Sequence, residues 1–187
     1  MTTIKPLHIV GISGSLRKAS FNTALLHAAF DLMPPGMTFE EFDLSPLPMF
    51  NQDLEKPFPD AVVAFRDKLA KADAILIATP GYNSSITGAP KNALDWASRP
   101  PQPPLLGKPA AIMGASTGNF GTLRAQLHLR QVLTHLGALP LGKPEVLVAR
   151  AEQAFDADRK LVDASARGFV LEMLIALAKW SIRLSPV

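Results

Sequence analysis

The stretch Gly11-Ile12-Ser13-Gly14-Ser15-Leu16-Arg17-Lys18-Ala19-Ser20-Phe21-Asn22 decides the fold. It follows an apolar run, Leu7 to Ile12, with the composition of a buried strand. It leads into Phe21 to Met33, which predicts a helix that stops at Pro34-Pro35-Gly36. A strand that ends in a loop directly before a helix aims free N–H groups and the positive end of the helix dipole at one point. Ser13, Ser15 and Ser20 add hydroxyls, Arg17 a guanidinium and Asn22 an amide, and the stretch holds no carboxylate. All of these groups donate to anionic oxygen, so the composition fits a phosphate monoester. Ser20 is equally placed to cap the helix, and an ordinary capped βα turn reads the same residues.

What is missing narrows the ligand. A Walker loop needs a Gly-Lys-Ser/Thr ending, and none is present. A dinucleotide fingerprint needs G-x-G-x-x-G, whereas the glycines here are Gly11 and Gly14. Hydroxyls in place of glycines suit a terminal phosphate gripped from several sides, as in a mononucleotide.

Beyond this stretch the chain alternates. Met37 to Phe42 reads as a second, more exposed strand. A long loop follows, Leu44 to Phe58, whose apolar residues could cover a flat ligand, meet a partner chain or pack on their own domain. Helix two spans Pro59 to Ala72, with Val62, Phe65, Leu69 and Ala72 on one face and Arg66, Lys68 and Lys71 facing out. Ala74 to Thr79 is a continuous apolar run, the signature of a strand covered on both faces.

That run ends at a second loop, Pro80-Gly81-Tyr82-Asn83, with backbone N–H groups, a ring and a carboxamide suited to a flat heterocycle. On the next helix, Gly88 to Ser98, Trp96 reads as core packing and Lys91 with Asp95 as a local ion pair. Arg99 to Pro104 is an extended, proline-rich connection. A fourth strand, Ala110 to Ala115, runs into a third loop of small and hydroxyl residues, Ser116-Thr117-Gly118-Asn119-Phe120-Gly121. Helix four, Thr122 to Leu136, has two apolar faces, which fits deep burial or an oligomer interface. Its His128 and His135 read as surface or interface histidines, and no metal site is expected. Val146 to Val148 is a fifth strand, Ala151 to Asp163 reads as polar and mobile, and a last helix starts near Asp158.

At 187 residues and 48% hydrophobic, the chain has the size of one domain, residues 1–187. The formal charge of +3 suits anionic ligands but is too small and dispersed for nucleic acid. With no cysteine, disulfides, cysteine-ligated clusters and thiol catalysis are excluded. No apolar run reaches the length of a membrane span and no secretory leader is read, so a cytoplasmic protein without a membrane partner is expected. Five strands alternating with helices give an α/β doubly wound parallel sheet, helices on both faces, in the order 2-1-3-4-5.

The loop Gly14-Ser15-Leu16-Arg17, with Ser20 and Asn22, resembles the G-S-L-R-x-x-S-x-N phosphate loop of the NADPH-dependent FMN reductase family. Pro80-Gly81-Tyr82-Asn83 is similar to that family's P-E-Y-N, with Gly81 in place of Glu, and Gly88 to Trp96 resembles its G-x-x-K-N-x-x-D-W segment. The likeness runs from Leu7 to Val148 and fades in Leu44 to Phe58 and after Arg150.

The resemblance implies a flavodoxin-like fold and an FMN-dependent reductase that takes electrons from NADPH or NADH. A small-molecule acceptor would receive them in a ping-pong cycle: a quinone, an azo compound, chromate or free flavin. It implies that Ser13, Ser15, Leu16, Arg17, Ser20 and Asn22 contact the phosphate, and that Pro80, Gly81, Tyr82, Asn83, Ser116, Thr117 and Gly118 frame the ring. A homodimer or homotetramer is implied as well. No catalytic side chain is expected, because the cofactor carries the chemistry. Two other readings stay open. A non-enzymatic FMN electron carrier would share the site, and a hydrolase on the same fold would need a histidine or carboxylate that the loops lack.

Overall fold

The computed structural model describes residues 6–184. Six strands form one parallel sheet: β1 (Leu7–Ser13), β2 (Met37–Phe42), β3 (Ala74–Ala78), β4 (Pro109–Ala115), β5 (Leu139–Pro140) and β6 (Val146–Val148). The order is β2-β1-β3-β4-β5, with β6 also on β4. The helices are α1 (Phe21–Asp31), α2 (Asp60–Lys71), α3 (Gly88–Ala97), α4 (Leu123–His135), α5 (Ala151–Ala154) and α6 (Ala164–Leu184).

Strand residues point alternately to the two faces, and the core divides accordingly. Ala74, Leu76 and Ala78 pack with Leu25 and Leu26 of α1 and Val170, Met173, Leu174 and Leu177 of α6. Ile75 and Ile77 pack on the other face with Val62, Phe65 and Leu69 of α2, Trp96 of α3, and Leu129 and Leu133 of α4. Each buried Leu, Ile, Val, Met or Phe side chain contributes about 1.5–3 kcal/mol, so β3 is stabilised from both sides and forms the centre of the molecule. The fifth strand position is split. β5 pairs with Pro109 and Ala110, and β6 pairs with Met113 to Ala115. Pro140 and Pro144 have no N–H to donate to a ladder, which accounts for the break between them.

Several details differ from the sequence reading. Helix one ends at Asp31 rather than Met33. Arg66 does not face out; it is 9% exposed and sits in the α2 core face. Its guanidinium donates to the carbonyls of Trp96 (3.0 Å), Arg99 (2.7 Å) and Pro101 (2.7 Å) and lies over Phe58, so it ties down the proline-rich connection. Burial pushes its pKa below the ordinary arginine value.

The segment Ala151 to Asp163 is packed, not mobile. α5, Phe155 and Leu161 bury apolar side chains in the α1–α6 layer, and Phe155 bridges to Leu161. The last helix starts at Ala164, beyond that bridge, rather than near Asp158. The long loop packs on its own domain: the Asn92 carboxamide and Trp96 Nε1 both donate to the Pro48 carbonyl, at 2.9 and 2.8 Å, and Asn92 Oδ1 accepts from Phe50 N–H. Trp96 is fully buried, and Lys91 Nζ meets Asp95 at 2.7 Å.

Candidate functional site

The loops after β1, β3 and β4 converge at the carboxyl edge of the sheet, where open α/β sheets place ligands. They are fastened together. Gly14 N–H donates to the Ala78 carbonyl (2.8 Å), and Thr87 Oγ1 donates to the Gly14 carbonyl (2.5 Å). Position 14 is tight: a Cβ there would lie 3.0 Å from Pro80 Cδ and 3.3 Å from both the Ala78 carbonyl and Pro90 Cγ. The third loop is pinned from β6, with Ser116 N–H donating to the Val148 carbonyl and Arg150 N–H to the Gly118 carbonyl.

Between these loops lies a cleft of about 160 Å³, lined by Ser15, Arg17, Ser20, Phe21 and Asn22 from the first, Pro80, Gly81 and Tyr82 from the second, and Ser116 and Thr117 from the third. No carboxylate lines it. That volume is below the about 300–1,000 Å³ of a typical enclosed ligand pocket, so a cofactor-sized ligand would extend over open surface.

The donors sort by availability. Ser20 Oγ caps α1, accepting from Asn22 N–H (3.1 Å) and Thr23 N–H (3.3 Å), and its own hydrogen remains free to donate. Arg17 donates one N–H to the Ala19 carbonyl and pairs with no carboxylate among the described residues. The N–H groups of Leu16 and Phe21 have no acceptor among the described residues. Ser13 is different: its hydroxyl is buried against Thr23 Oγ1 (2.8 Å) and ties the loop from behind. Asn22 lines the cleft, and its carboxamide is also engaged within the protein. Its Nδ2 donates to the Ala115 carbonyl and its Oδ1 accepts from Ala115 N–H, both at 2.9 Å, so it clamps α1 to the end of β4.

Tyr82 and Ser85 exchange two backbone hydrogen bonds around Asn83 (φ 51°) and Ser84 (φ 65°), a two-residue turn with both central residues left-handed. The turn leaves Tyr82 55% exposed at the mouth of the cleft and puts Asn83 at its tip, outside the lining. Gly81 has room: a Cβ there meets Ala125 Cβ at 3.5 Å, an ordinary contact. Ser13, Leu16 and Gly118 likewise lie outside the lining. Phe21 and Ala115 belong to it and were not read from the sequence, where an apolar residue in a phosphate loop carries no signal of its own. Among the described residues, no helix is long and apolar enough to cross a membrane.

Sheet order defines a flavodoxin-like protein, with an acid-free cleft at the ends of its central strands. The model of the family described as NADPH-dependent FMN reductase matches residues 7–153, and the chain belongs to that family. It is 52% identical over 179 residues to the NAD(P)H-dependent FMN reductase PA1204 of Pseudomonas aeruginosa, covering 95% of this chain and 97% of that protein. It is 45% identical over 192 residues to an NADPH:quinone oxidoreductase of Arabidopsis thaliana, covering 98% and 97%. Among solved structures it is similar to FerB, a flavoenzyme NAD(P)H:(acceptor) oxidoreductase of Paracoccus denitrificans. That match has a TM-score of 0.88 and 34% identity, over 95% of this chain and 98% of that one.

Proposed function

We propose that this chain is an NAD(P)H-dependent reductase that holds FMN in the acid-free cleft and passes electrons to quinones or free flavin. The observation that carries it is the cleft itself: Ser20 and Arg17 keep donors free at the N-terminus of α1, with no carboxylate to oppose an anion. Those residues fit the phosphate of FMN. Ser15, Arg17 and Ser20 hold it with their side chains, and Leu16 and Phe21 with their N–H groups.

Asn22 acts one step back, by fixing Ala115 and so the start of the third loop. Pro80, Gly81, Tyr82 and Asn83, with Ser116, Thr117 and Gly118, frame the ring. When bound, FMN supplies the two-electron chemistry between NADPH or NADH and the acceptor. The protein's own part is to bind and orient. No histidine or carboxylate lines the cleft, and no side chain there is assigned the role of acid or base.

The open mouth, with Tyr82 at its edge, lets donor and acceptor occupy one surface in turn, which predicts ping-pong kinetics and tolerance of several acceptors, azo compounds and chromate among them. A homodimer or homotetramer belongs to the same reading.

The test is the visible spectrum of the purified protein, followed by NADPH without oxygen. A flavin spectrum that bleaches and recovers on adding a quinone supports the reductase. A flavin that stays oxidised makes the protein a carrier, and a chain that takes up no FMN refutes the site.

A further inference from the structure

A second cleft, of about 320 Å³, adjoins the first through Ser20 and lies between α1 and the 156–161 turn. Lys18, Arg159, Lys160 and Arg167 line it. None of the four is within ion-pair distance of a carboxylate among the described residues. Asp31 and Asp158 also line the cleft, leaving an excess of positive charge, and His27 at its edge is hydrogen-bonded to Glu41.

Two of the cations are held in place. Arg167 Nη1 donates to the Leu161 carbonyl at 3.1 Å, and the Arg159 guanidinium lies 4.1 Å from the centre of the Phe21 ring. A guanidinium stacked on a ring keeps its in-plane N–H groups free for oxygen acceptors. Arg159 also has φ 64°, in the left-handed region that favours glycine and costs a residue with a Cβ. The turn is closed by Asp156 N–H to the Lys160 carbonyl (3.0 Å) and Arg159 N–H to the Asp156 carbonyl (3.1 Å). A strained backbone that carries a cation with no carboxylate partner into a basic cleft points to an anionic ligand for that cation.

We infer that this cleft is a second phosphate site and takes the 2′-phosphate that distinguishes NADPH from NADH. Naming the co-substrate rests on the reductase reading; the anion chemistry of the cleft does not. A phosphate monoester is close to a dianion at neutral pH and matches the excess charge. A nicotinamide in the flavin cleft leaves the adenylate end on neighbouring surface, and this cleft adjoins through Ser20.

The test is calorimetry on the full chain loaded with FMN, using 2′,5′-ADP, 5′-AMP and inorganic phosphate as probes. The expected result is that 2′,5′-ADP binds more tightly than either of the others. Arg159→Gly and Arg167→Ala should each weaken it about tenfold, the worth of one charge-assisted hydrogen bond. Arg159→Gly should do so without lowering Tm, because glycine relieves the backbone. In steady state both variants should raise KM for NADPH and leave that for NADH unchanged.

Equal affinity for 2′,5′-ADP and 5′-AMP overturns the inference. So does inorganic phosphate binding as tightly as 2′,5′-ADP, which makes the cleft a site for the free ion. An equal effect of the variants on NADPH and NADH, or loss of FMN from Arg159→Gly, overturns it too. Wild-type protein that takes up no FMN refutes the reductase reading instead, and the 2′,5′-ADP titration of that protein still decides the cleft.

Discussion

Replacing Asn22 by alanine would break the clamp between α1 and β4. The side chain is 4% exposed and makes two hydrogen bonds of 2.9 Å to the backbone of Ala115, itself 3% exposed. Water has little access to either group left behind. A buried donor or acceptor without a partner costs about 1–3 kcal/mol. Two of them, with some relaxation, give a loss of about 3 kcal/mol. In a chain of this size that lowers Tm by about 6–12 °C. Asn22→Asp sharpens the result, because a carboxylate can accept from Ala115 N–H but must set its second oxygen against the Ala115 carbonyl. It should be at least as destabilising as alanine. The assay is urea unfolding of the FMN-free protein, followed by circular dichroism, for both variants. A loss under about 1 kcal/mol in both would refute the clamp. Weaker FMN binding at unchanged stability would show that Asn22 touches the phosphate directly.

Other substitutions separate binding from folding. Arg17→Ala should weaken FMN about 10–100-fold, the equivalent of about 1.5–3 kcal/mol, with Tm of the FMN-free protein unchanged; fluorescence titration at low salt reads this, and unaltered affinity sinks the phosphate assignment. Gly14→Ala would push the first loop off Pro80, costing about 1–3 kcal/mol in urea and loosening FMN together, whereas a variant as stable as wild type contradicts the close approach. Gly81→Glu should fold within about 0.5 kcal/mol of wild type, since a Cβ fits there, and a large drop in Tm would show otherwise. The hydrogen bond from Lys68 holds the Glu40 carboxyl below the usual carboxylate range. That pair therefore stabilises the fold above the unfolded carboxylate pKa and is lost as pH falls through the lower, folded value. The pair is partly exposed, so Glu40→Gln should remove only about 0.2–1 kcal/mol of acid-side pH dependence, and an identical acid limb in the variant would count against it.

The central strands, the three loops and the burial of Trp96 were legible because each rests on local pattern: apolar runs, a serine cap, small residues after a strand. Arg66 was misread because its charge outweighed its spacing. It falls four residues after Val62, on the core stripe, and its acceptors are carbonyls 30 to 35 positions away that no local pattern reveals. Ser13 and Asn22 show the same limit at the site. Their chemistry permits phosphate binding, and only the fold shows that Thr23 and Ala115 already engage them. In Ala151 to Asp163 the buried Ala151, Ala154 and Phe155 do fall at helical spacing, but over a single turn among charges, too short a run to stand out as a pattern, and Leu161 lies beyond it.

The loops that frame the cleft are joined to one another and to neighbouring strands by Gly14 to Ala78, Thr87 to Gly14, Asn22 to Ala115 and Ser116 to Val148, all through the protein's own atoms. Fixing one residue's backbone costs about 1–2 kcal/mol of conformational entropy, and here that cost falls on folding rather than on ligand capture. Walls held in this way stand whether or not a ligand is present. In the proposed cycle each ligand would therefore meet a site that is already formed, and capture would order little of the protein itself.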